Sequence, residues 1–135
     1  MKESGQVAKI RVLVADDHVI FRSALVDLLQ EEPDIEVVAE AGDGETAVAA
    51  ALRSRPHVVL IDVGMPRLDG IEATRQIAAA LPAARVIGLS GHRDEDLAAA
   101  MHRAGAAFYL VKDCPPEALV AAIRDTSRDR GSAAP

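Results

Sequence analysis

The sequence has few aromatic residues and only one cysteine, and each scarcity excludes a class of function. Its 135 residues include no tryptophan, one tyrosine and two phenylalanines. Stacking on nucleic-acid bases is therefore not expected, and the core must be built from Ala, Val, Leu and Ile. The single cysteine, Cys114, excludes an internal disulfide and a cysteine-rich zinc site, and we interpret it as an inert thiol in a loop.

Clustered positive charge and long apolar runs are also missing. The chain carries 15 Lys and Arg against 21 Asp and Glu, a formal net charge of -6. A surface that binds a polyanion needs clustered cations, so we expect no direct DNA binding by this segment. No stretch of the length needed to span a membrane is continuously apolar, and the N-terminal MKESGQVAK lacks the apolar part of a signal peptide. We therefore expect a cytoplasmic protein that does not contact the membrane.

Short apolar runs alternate along the chain with stretches of helical period. Each run is rich in Val, Ile or Leu and nearly continuous, as in strands that are covered on both faces. The runs are Ile10–Ala15, Ile35–Ala39, Val58–Ile61, Val86–Leu89 and Ala107–Val111. Amphipathic stripes follow each run, and they lie within 21–29, 48–52, 71–81, 97–104 and 119–123. The pattern is a βα unit repeated five times.

Strict alternation of strands and helices predicts an α/β domain with a parallel sheet and helices on both faces. Five strands favour the open, flavodoxin-like (βα)5 arrangement with strand order 2-1-3-4-5. The length allows one domain, which we place at residues 9–127. Residues 1–8 are predicted to be a disordered N-terminus, and 128–135 a tail or the start of a linker.

Polar residues follow most of the apolar runs. In sheets of this kind the carboxyl ends of the strands meet at one rim, and the binding site lies where the strand order reverses, here between the first and third strands. Only Glu40, after the second run, is predicted to lie at the sheet's edge, away from that point. The residues predicted to converge are Asp16 and Asp17, Asp62, Ser90 and Lys112.

Three carboxylates at a rim of low dielectric repel one another unless cations compensate them. Mg²⁺ is the natural candidate because it prefers oxygen ligands and usually binds through carboxylates and phosphate. Lys112 would supply a fixed ammonium and Ser90 a hydroxyl donor, so the site can hold the oxygens of a phosphoryl group. A carboxylate in its middle can also be a nucleophile that forms an acyl phosphate.

Four segments resemble the signature segments of the receiver domain of two-component response regulators. They are VADDH at 14–18, LIDVGMPRLDG at 60–70, IGLSG at 87–91 and GAAFYLVKD at 105–113. The resemblance covers roughly residues 10–126, and the order and spacing of the four segments make it specific.

This resemblance implies a role for each rim residue. Asp62 would accept a phosphoryl group from a sensor histidine kinase, and Asp16 and Asp17 would hold Mg²⁺, with Asp17 the more direct ligand. The backbone carbonyl of Gly64 would complete the metal site. Ser90 and Lys112 would contact the phosphoryl group, and Tyr109 would be the aromatic switch residue that follows Ser90.

The resemblance also implies partners and an output. ADDH, LVKD and PPEALVAAI are similar to the subfamily whose receivers precede a C-terminal helix-turn-helix DNA-binding domain. A regulator of transcription that forms a homodimer on activation, and that contacts DNA only through that separate domain, is therefore expected. The alternative is a stand-alone receiver that acts through protein contacts.

Two enzyme or ligand-binding classes fit less well. A Mg²⁺-dependent phosphatase or phosphotransferase would need an insertion to form a substrate pocket, and a nucleotide-binding module would need a phosphate-binding glycine loop, which is incomplete here. We expect no catalysis beyond the domain's own phosphotransfer and dephosphorylation.

Simpler interpretations exist for single residues. Asp17 could be only the N-cap of the next helix, and Asp62 could cap a turn. Lys112 alone could be a surface lysine and Tyr109 an ordinary strand residue. The histidines show no metal-binding spacing and are expected to be structural or exposed; they are His18, His57, His92 and His102.

Three positions depart from the family's usual pattern. Gly64 and His92 each lie two residues beyond a site residue, where they would frame the path of the hydrolytic water, and we expect them to affect the lifetime of the phosphorylated form. Phe108 stands where many relatives have glycine, and its bulk would affect the switch or the dimer face.

Overall fold

Strands and helices alternate strictly in the computed structural model, which describes residues 8–132, with side chains to residue 128. The strands are β1 (Ile10–Ala15), β2 (Ile35–Ala41), β3 (Val58–Asp62), β4 (Arg85–Ser90) and β5 (Phe108–Val111). The helices are α1 (Val19–Gln30), α2 (Gly44–Ser54), α3 (Gly70–Ala80), α4 (Glu95–Ala104) and α5 (Pro116–Ser132). The predicted disorder of the first seven residues, and the last three residues of the predicted tail, lie outside the described residues.

All five strands are parallel, and their order is β2-β1-β3-β4-β5, which confirms the predicted topology. The order reverses beside β1, which pairs with β2 on one side and β3 on the other. Asp62, at the end of β3, lies opposite Leu89, and Ser90 lies opposite Val111. The carboxyl ends of the central strands therefore meet at one rim.

The central strands β1, β3 and β4 are buried on both faces because most of their residues are apolar. Successive side chains point to opposite faces, so each strand contributes to two core layers. One layer packs against α2, α3 and α4, and its strand residues include Leu13, Ala15, Val59 and Ile61. The other packs against α1 and α5, and its strand residues include Val12, Val14, Val58 and Leu60. As predicted, Ala, Val, Leu and Ile dominate, with buried Met65 and Met101 as additions.

Aspartates begin three of the helices. Asp43, Asp69 and Asp94 are the N-caps of α2, α3 and α4, and each side chain accepts a backbone N–H from the first turn. Helix α1 differs because its N-cap is His18, whose side chain makes no capping hydrogen bond. The interpretation of Asp17 as an N-cap is therefore wrong, and helix capping does not explain the position of its carboxylate.

Several element ends differ from the sequence prediction. β2 continues two residues further, to Ala41, because Ala41 pairs with Ala15 of β1. Helix α5 continues to Ser132, past residue 127 where we placed the end of the domain. An ion pair one helical turn apart, between Asp125 and Arg128, crosses the predicted boundary at residue 127. Within residues 8–132, no helix is both long enough and apolar enough to span a membrane.

Candidate functional site

The predicted rim residues do converge, at the carboxyl ends of β1, β3 and β5. Asp16 and Asp17 follow β1 directly, Asp62 is the last residue of β3, and Lys112 follows β5. Asp16 is fully buried and Asp62 is nearly so, whereas the side chain of Asp17 is 32% exposed. The structure thus places three carboxylates and one ammonium together at the point where the strand order reverses.

Lys112 forms ion pairs with both buried carboxylates and offsets part of their negative charge. Its Nζ lies 2.7 Å from Asp16 Oδ2 and 3.5 Å from Asp62 Oδ2, and its side chain is only 13% exposed. The contact with Asp16 is an ion pair without hydrogen-bond geometry, so charge attraction dominates it. The Lys112 backbone N–H donates to Ser90 O (2.7 Å), which fixes the start of the β5–α5 loop against β4. Lys112 is therefore not a surface lysine.

Asp62 is held in an environment that disfavours its charge. Burial raises the pKa of the Asp62 carboxyl, and the negative charge of Asp16 raises it further. The Gly64 N–H, which donates to Asp62 Oδ1 at 3.2 Å, and the Lys112 ammonium both oppose this shift. The turn-capping contact suggested by the sequence is thus present, but it uses only one of the two carboxylate oxygens.

His18 is exposed, as expected for the histidines, but its ring also contacts the carboxylates of the rim. Its ring is 64% exposed, yet Nδ1 lies 2.8 Å from Asp16 Oδ1, 3.3 Å from Asp17 Oδ1 and 3.7 Å from Asp62 Oδ2. Lys112 Nζ is 2.9 Å from the same nitrogen. The sequence signal was its position directly after the acidic pair, which a search for histidine spacing does not detect.

Buried oxygens without hydrogen-bond partners point into this cluster. Among the described residues, Asp16 Oδ2, Asp17 Oδ1 and Asp62 Oδ2 are buried and accept no hydrogen bond. One potential ligand atom from each of these aspartates and from His18 lies within 4.8 Å of all the others. Unsatisfied carboxylate oxygens at this spacing are a donor set that suits a hard divalent cation.

Ser90 and Tyr109 lie nearby but do not contact the carboxylates. Ser90 is buried, and its hydroxyl donates to His92 O at 2.8 Å, within the loop that follows β4. The Tyr109 ring packs in the core layer beneath α4, and its buried hydroxyl has no hydrogen-bond partner among residues 8–132. Phe108, the neighbouring departure from the family pattern, is 37% exposed.

Two residues of α1, Phe21 and Arg22, contact residues of the site, and neither contact was predicted from the sequence. The Phe21 ring centroid lies 4.8 Å from Lys112 Nζ, which is a cation–π contact. Arg22 donates from Nη1 to Asp16 O (2.6 Å) and from Nε to Glu40 Oε1 (3.2 Å), which ties the end of β1 to β2. The helical stripe marked Phe21 as a core residue, and nothing in its spacing indicated a lysine partner.

The family described as response regulator receiver domain matches residues 12–124, nearly the whole of the described structure. The chain belongs to this family. Receiver domains of response regulators are signalling domains, and the α/β fold and the acidic rim of this chain agree with that assignment.

Individual relatives agree with the assignment. The receiver is 38% identical over 92% of its length to the transcriptional regulatory protein DegU from Brevibacillus brevis, of which it covers 52%. The signal receiver domain of NarL from Mycobacterium tuberculosis superposes with a TM-score of 0.85 at 34% identity, covering 90% of this chain and 98% of that one. A CheX–CheY complex with BeF3 and Mg²⁺ from Borrelia burgdorferi gives 0.81 at 26% identity, covering 87% and 89%.

The receiver spans about half the length of the curated relatives that it matches. Its likeness to NarL, in contrast, covers almost the whole of a structure that is itself a receiver domain. The shared part is therefore the receiver domain.

Proposed function

We propose that this receiver is a phosphorylation-dependent switch, in which Asp62 accepts a phosphoryl group from a sensor histidine kinase in the presence of Mg²⁺. One observation carries the proposal: Asp62 is buried, has one oxygen without a hydrogen bond, and lies between Lys112 and two further carboxylates. A structural aspartate would have both oxygens satisfied.

Asp62 is suited to be the nucleophile. A carboxylate oxygen of Asp62 forms a bond to phosphorus while the bond from phosphorus to the donor nitrogen breaks, and the bonding electrons leave with the nitrogen. Burial raises the pKa of Asp62, so its oxygens are more basic than those of an exposed aspartate. The Lys112 ammonium opposes this rise in pKa and so favours the anionic form that acts as nucleophile.

The aspartates fit a magnesium ion. Asp16, Asp17 and Asp62 would hold it through the buried oxygens that lack hydrogen bonds, together with the Gly64 carbonyl predicted from the sequence. A bound Mg²⁺ supplies positive charge that offsets the repulsion between a phosphoryl group and the acidic pair. Because Asp16 is also paired with Lys112, we assign the more direct contact to Asp17.

Lys112 and Ser90 would recognise the phosphoryl group. The ammonium lies 3.5 Å from Asp62 Oδ2, so a phosphoryl group on that carboxylate would be within its reach. The Ser90 hydroxyl would exchange its present bond to His92 O for a phosphoryl oxygen. That exchange would move the β4–α4 loop, and Tyr109 would then change its packing beneath α4.

The readout would be the surface formed by α4, β5 and α5. We propose that the intact protein is a regulator of transcription that dimerises on activation and binds DNA through a separate domain, which its similarity to DegU supports. A stand-alone receiver that acts by protein contact is the alternative. Size and DNA binding of the protein encoded by the full reading frame distinguish the two.

Phosphorylation tests the central proposal. The protein is incubated with Mg²⁺ and phosphoramidate, and the product is analysed by intact-mass and peptide mass spectrometry. We expect one hydroxylamine-labile phosphoryl group on Asp62. No phosphorylation is expected in the Asp62→Asn variant or when Mg²⁺ is chelated.

Asp27→Asn is the matched control, because Asp27 is an exposed aspartate on α1. It should be phosphorylated like the unchanged protein. Modification of another residue, or an adduct that persists in Asp62→Asn, would contradict the proposal.

A further inference from the structure

The backbone at the start of α1 turns the His18 ring toward the acidic cluster. His18 has an extended conformation (φ -86, ψ 98), and its side chain makes no capping hydrogen bond. Its own N–H donates to Asp16 Oδ1 at 2.8 Å, which fixes the residue next to the carboxylates. The ring is therefore positioned by the rim and not by the helix.

The distances from His18 Nδ1 fit a shared ion. Two ligands that each lie about 2.1 Å from one metal ion are roughly 3.0–4.2 Å apart, depending on the angle between them. Nδ1 is 3.3 Å from Asp17 Oδ1 and 3.7 Å from Asp62 Oδ2, and both of those oxygens are buried without hydrogen-bond partners in the described part of the chain. Both distances fall within the range expected for two ligands of one ion.

The present partners of Nδ1 cannot all be satisfied together. Nδ1 lies 2.8 Å from the acceptor Asp16 Oδ1 and 2.9 Å from the donor Lys112 Nζ. One ring nitrogen either carries a proton or offers a lone pair, so one of these two contacts is unfavourable in each tautomer. A metal ion that takes the lone pair would use the nitrogen fully.

We infer that His18 is a metal-specificity residue, whose Nδ1 is an additional ligand for transition-metal ions such as Co²⁺ and is not used by Mg²⁺. This inference rests on the proposed function, because it concerns the same cation position. Imidazole is a good ligand for the later divalent transition metals, whereas Mg²⁺ keeps oxygen ligands. His18 should therefore shift the preference of the site from Mg²⁺ toward these ions.

Cobalt binding tests the inference without phosphorylation. The full chain is titrated with Co²⁺, and visible absorption and the NMR signals of the His18 ring are recorded. We expect a bound form with nitrogen ligation, and in His18→Ala roughly tenfold or more weaker Co²⁺ binding. His18→Asn keeps a polar side chain without the imidazole and should behave likewise, and circular dichroism checks that both variants fold.

His102→Ala is the matched control. His102 is an exposed histidine in the last turn of α4, and among the described residues it is not part of the group of ligand atoms around Asp62. We expect this variant to bind Co²⁺ within about twofold of the unchanged protein. Equal weakening in His102→Ala and His18→Ala, or unchanged binding in His18→Ala, would overturn the inference.

Magnesium affinity separates specificity from a structural role. Measured by calorimetry, it should stay within about twofold in His18→Ala, since Mg²⁺ does not use the imidazole. If Mg²⁺ and Co²⁺ binding weaken together, His18 only positions the carboxylates and the inference fails. The proposed function fails separately, if Asp62 is not phosphorylated although Mg²⁺ binds.

Discussion

At the scale of single residues, the backbone next to Asp62 leaves no room for a side chain at Gly70. A Cβ atom on Gly70 would lie 2.4 Å from Asp62 O and 2.6 Å from Val63 Cα. The Gly70 N–H donates to Val63 O at 3.1 Å, so α3 begins directly against the end of β3. The geometry of the candidate nucleophile thus depends on a residue that carries no functional group.

We predict that Gly70→Ala lowers the free energy of unfolding by about 1–3 kcal/mol, because the clash is with backbone atoms that cannot rotate away. Urea denaturation followed by circular dichroism measures the change. Gly91→Ala is the matched control, because a Cβ there meets no described atom within 4 Å, and it should change stability by less than about 0.5 kcal/mol. Equal losses in both variants would refute the steric explanation.

At the scale of elements, α2 ends in a conformation that its sequence does not favour. Arg55, its C-cap, has left-handed dihedral angles (φ 50, ψ 63), which glycine adopts more readily than any other residue. Both backbone polar groups of Arg55 are hydrogen-bonded, because its N–H donates to Ala51 O and its carbonyl accepts from Arg11 Nη1.

Arg55→Gly should therefore raise the free energy of unfolding by up to about 1 kcal/mol, because it relieves the strain and keeps both backbone contacts. Thermal and urea denaturation give the sign of the change. Arg53→Gly, in the last turn of α2, should instead lower stability by about 1 kcal/mol, since glycine is unfavourable inside a helix. A loss in both variants would show that the strain is not significant.

A second link between elements joins α5 to the turn between α1 and β2. Arg124 donates from Nε to Asp34 Oδ2 and from Nη2 to Asp34 Oδ1, both at 2.8 Å, and also to Glu32 Oε1 at 2.7 Å. The hydrogen bonds from Arg124 lower the pKa of Asp34 below its ordinary value. Both side chains are partly exposed, so solvent screening limits the strength of the pair.

We predict a pH-dependent cost for Asp34→Asn. A lowered pKa means that the ion pair stabilises the fold above the ordinary aspartate pKa, and that this contribution is lost as the pH falls through the lowered pKa. The variant should be less stable by roughly 0.5–1 kcal/mol at neutral pH, and the difference should shrink below about pH 4. Urea denaturation at a series of pH values measures it.

Asp125→Asn is the control for this prediction. Asp125 forms an exposed ion pair with Arg128 within α5, so the change should have a smaller effect at neutral pH. A cost for Asp34→Asn that grows in acid would contradict the assigned pKa direction.

At the scale of the whole molecule, the carboxylates at the rim repel one another, although the rest of the fold is well packed. Asp16, Asp62 and Lys112 share a small volume at the end of the sheet, and burial disfavours the charge on Asp62. A cation bound there would stabilise the folded state as a whole, because the unfolded chain does not hold the three aspartates together.

Mg²⁺ should accordingly raise the free energy of unfolding by about 1.4 kcal/mol at a concentration ten times its Kd. Asp17→Asn should lose most of this gain, because it removes the proposed direct ligand. Thermal denaturation with and without Mg²⁺ measures the stabilisation of the unchanged protein and of the variant. A Ca²⁺-free buffer in which Na⁺ gives the same ionic strength is the control for a general salt effect. An equal Mg²⁺ gain in the variant would place the ion elsewhere.

Most of the fold and part of the site were predictable from the sequence. Continuous apolar runs and helical stripes predicted all five strands and helices, and parallel strands necessarily bring Asp16, Asp62 and Lys112 to one rim. Element ends were less predictable, since Ala41 joins β2 only through its partner Ala15. His18 was missed because its distance from Asp62, 44 residues away, is set by the pairing of β1 with β3.

The sequence by itself determined the alternation of elements, the strand order and the kinds of side chain at the rim. The alternation follows from local periodicity, and the strand order follows from the handedness of parallel crossovers between consecutive strands. Only the tertiary structure decided that His18 faces the carboxylates, that Arg22 and Phe21 support the site, and that Arg124 fastens α5. Several of these contacts, such as Phe21 with Lys112 and Arg124 with Asp34, join residues far apart in the chain, and their distances arise only when the two core layers pack on the sheet.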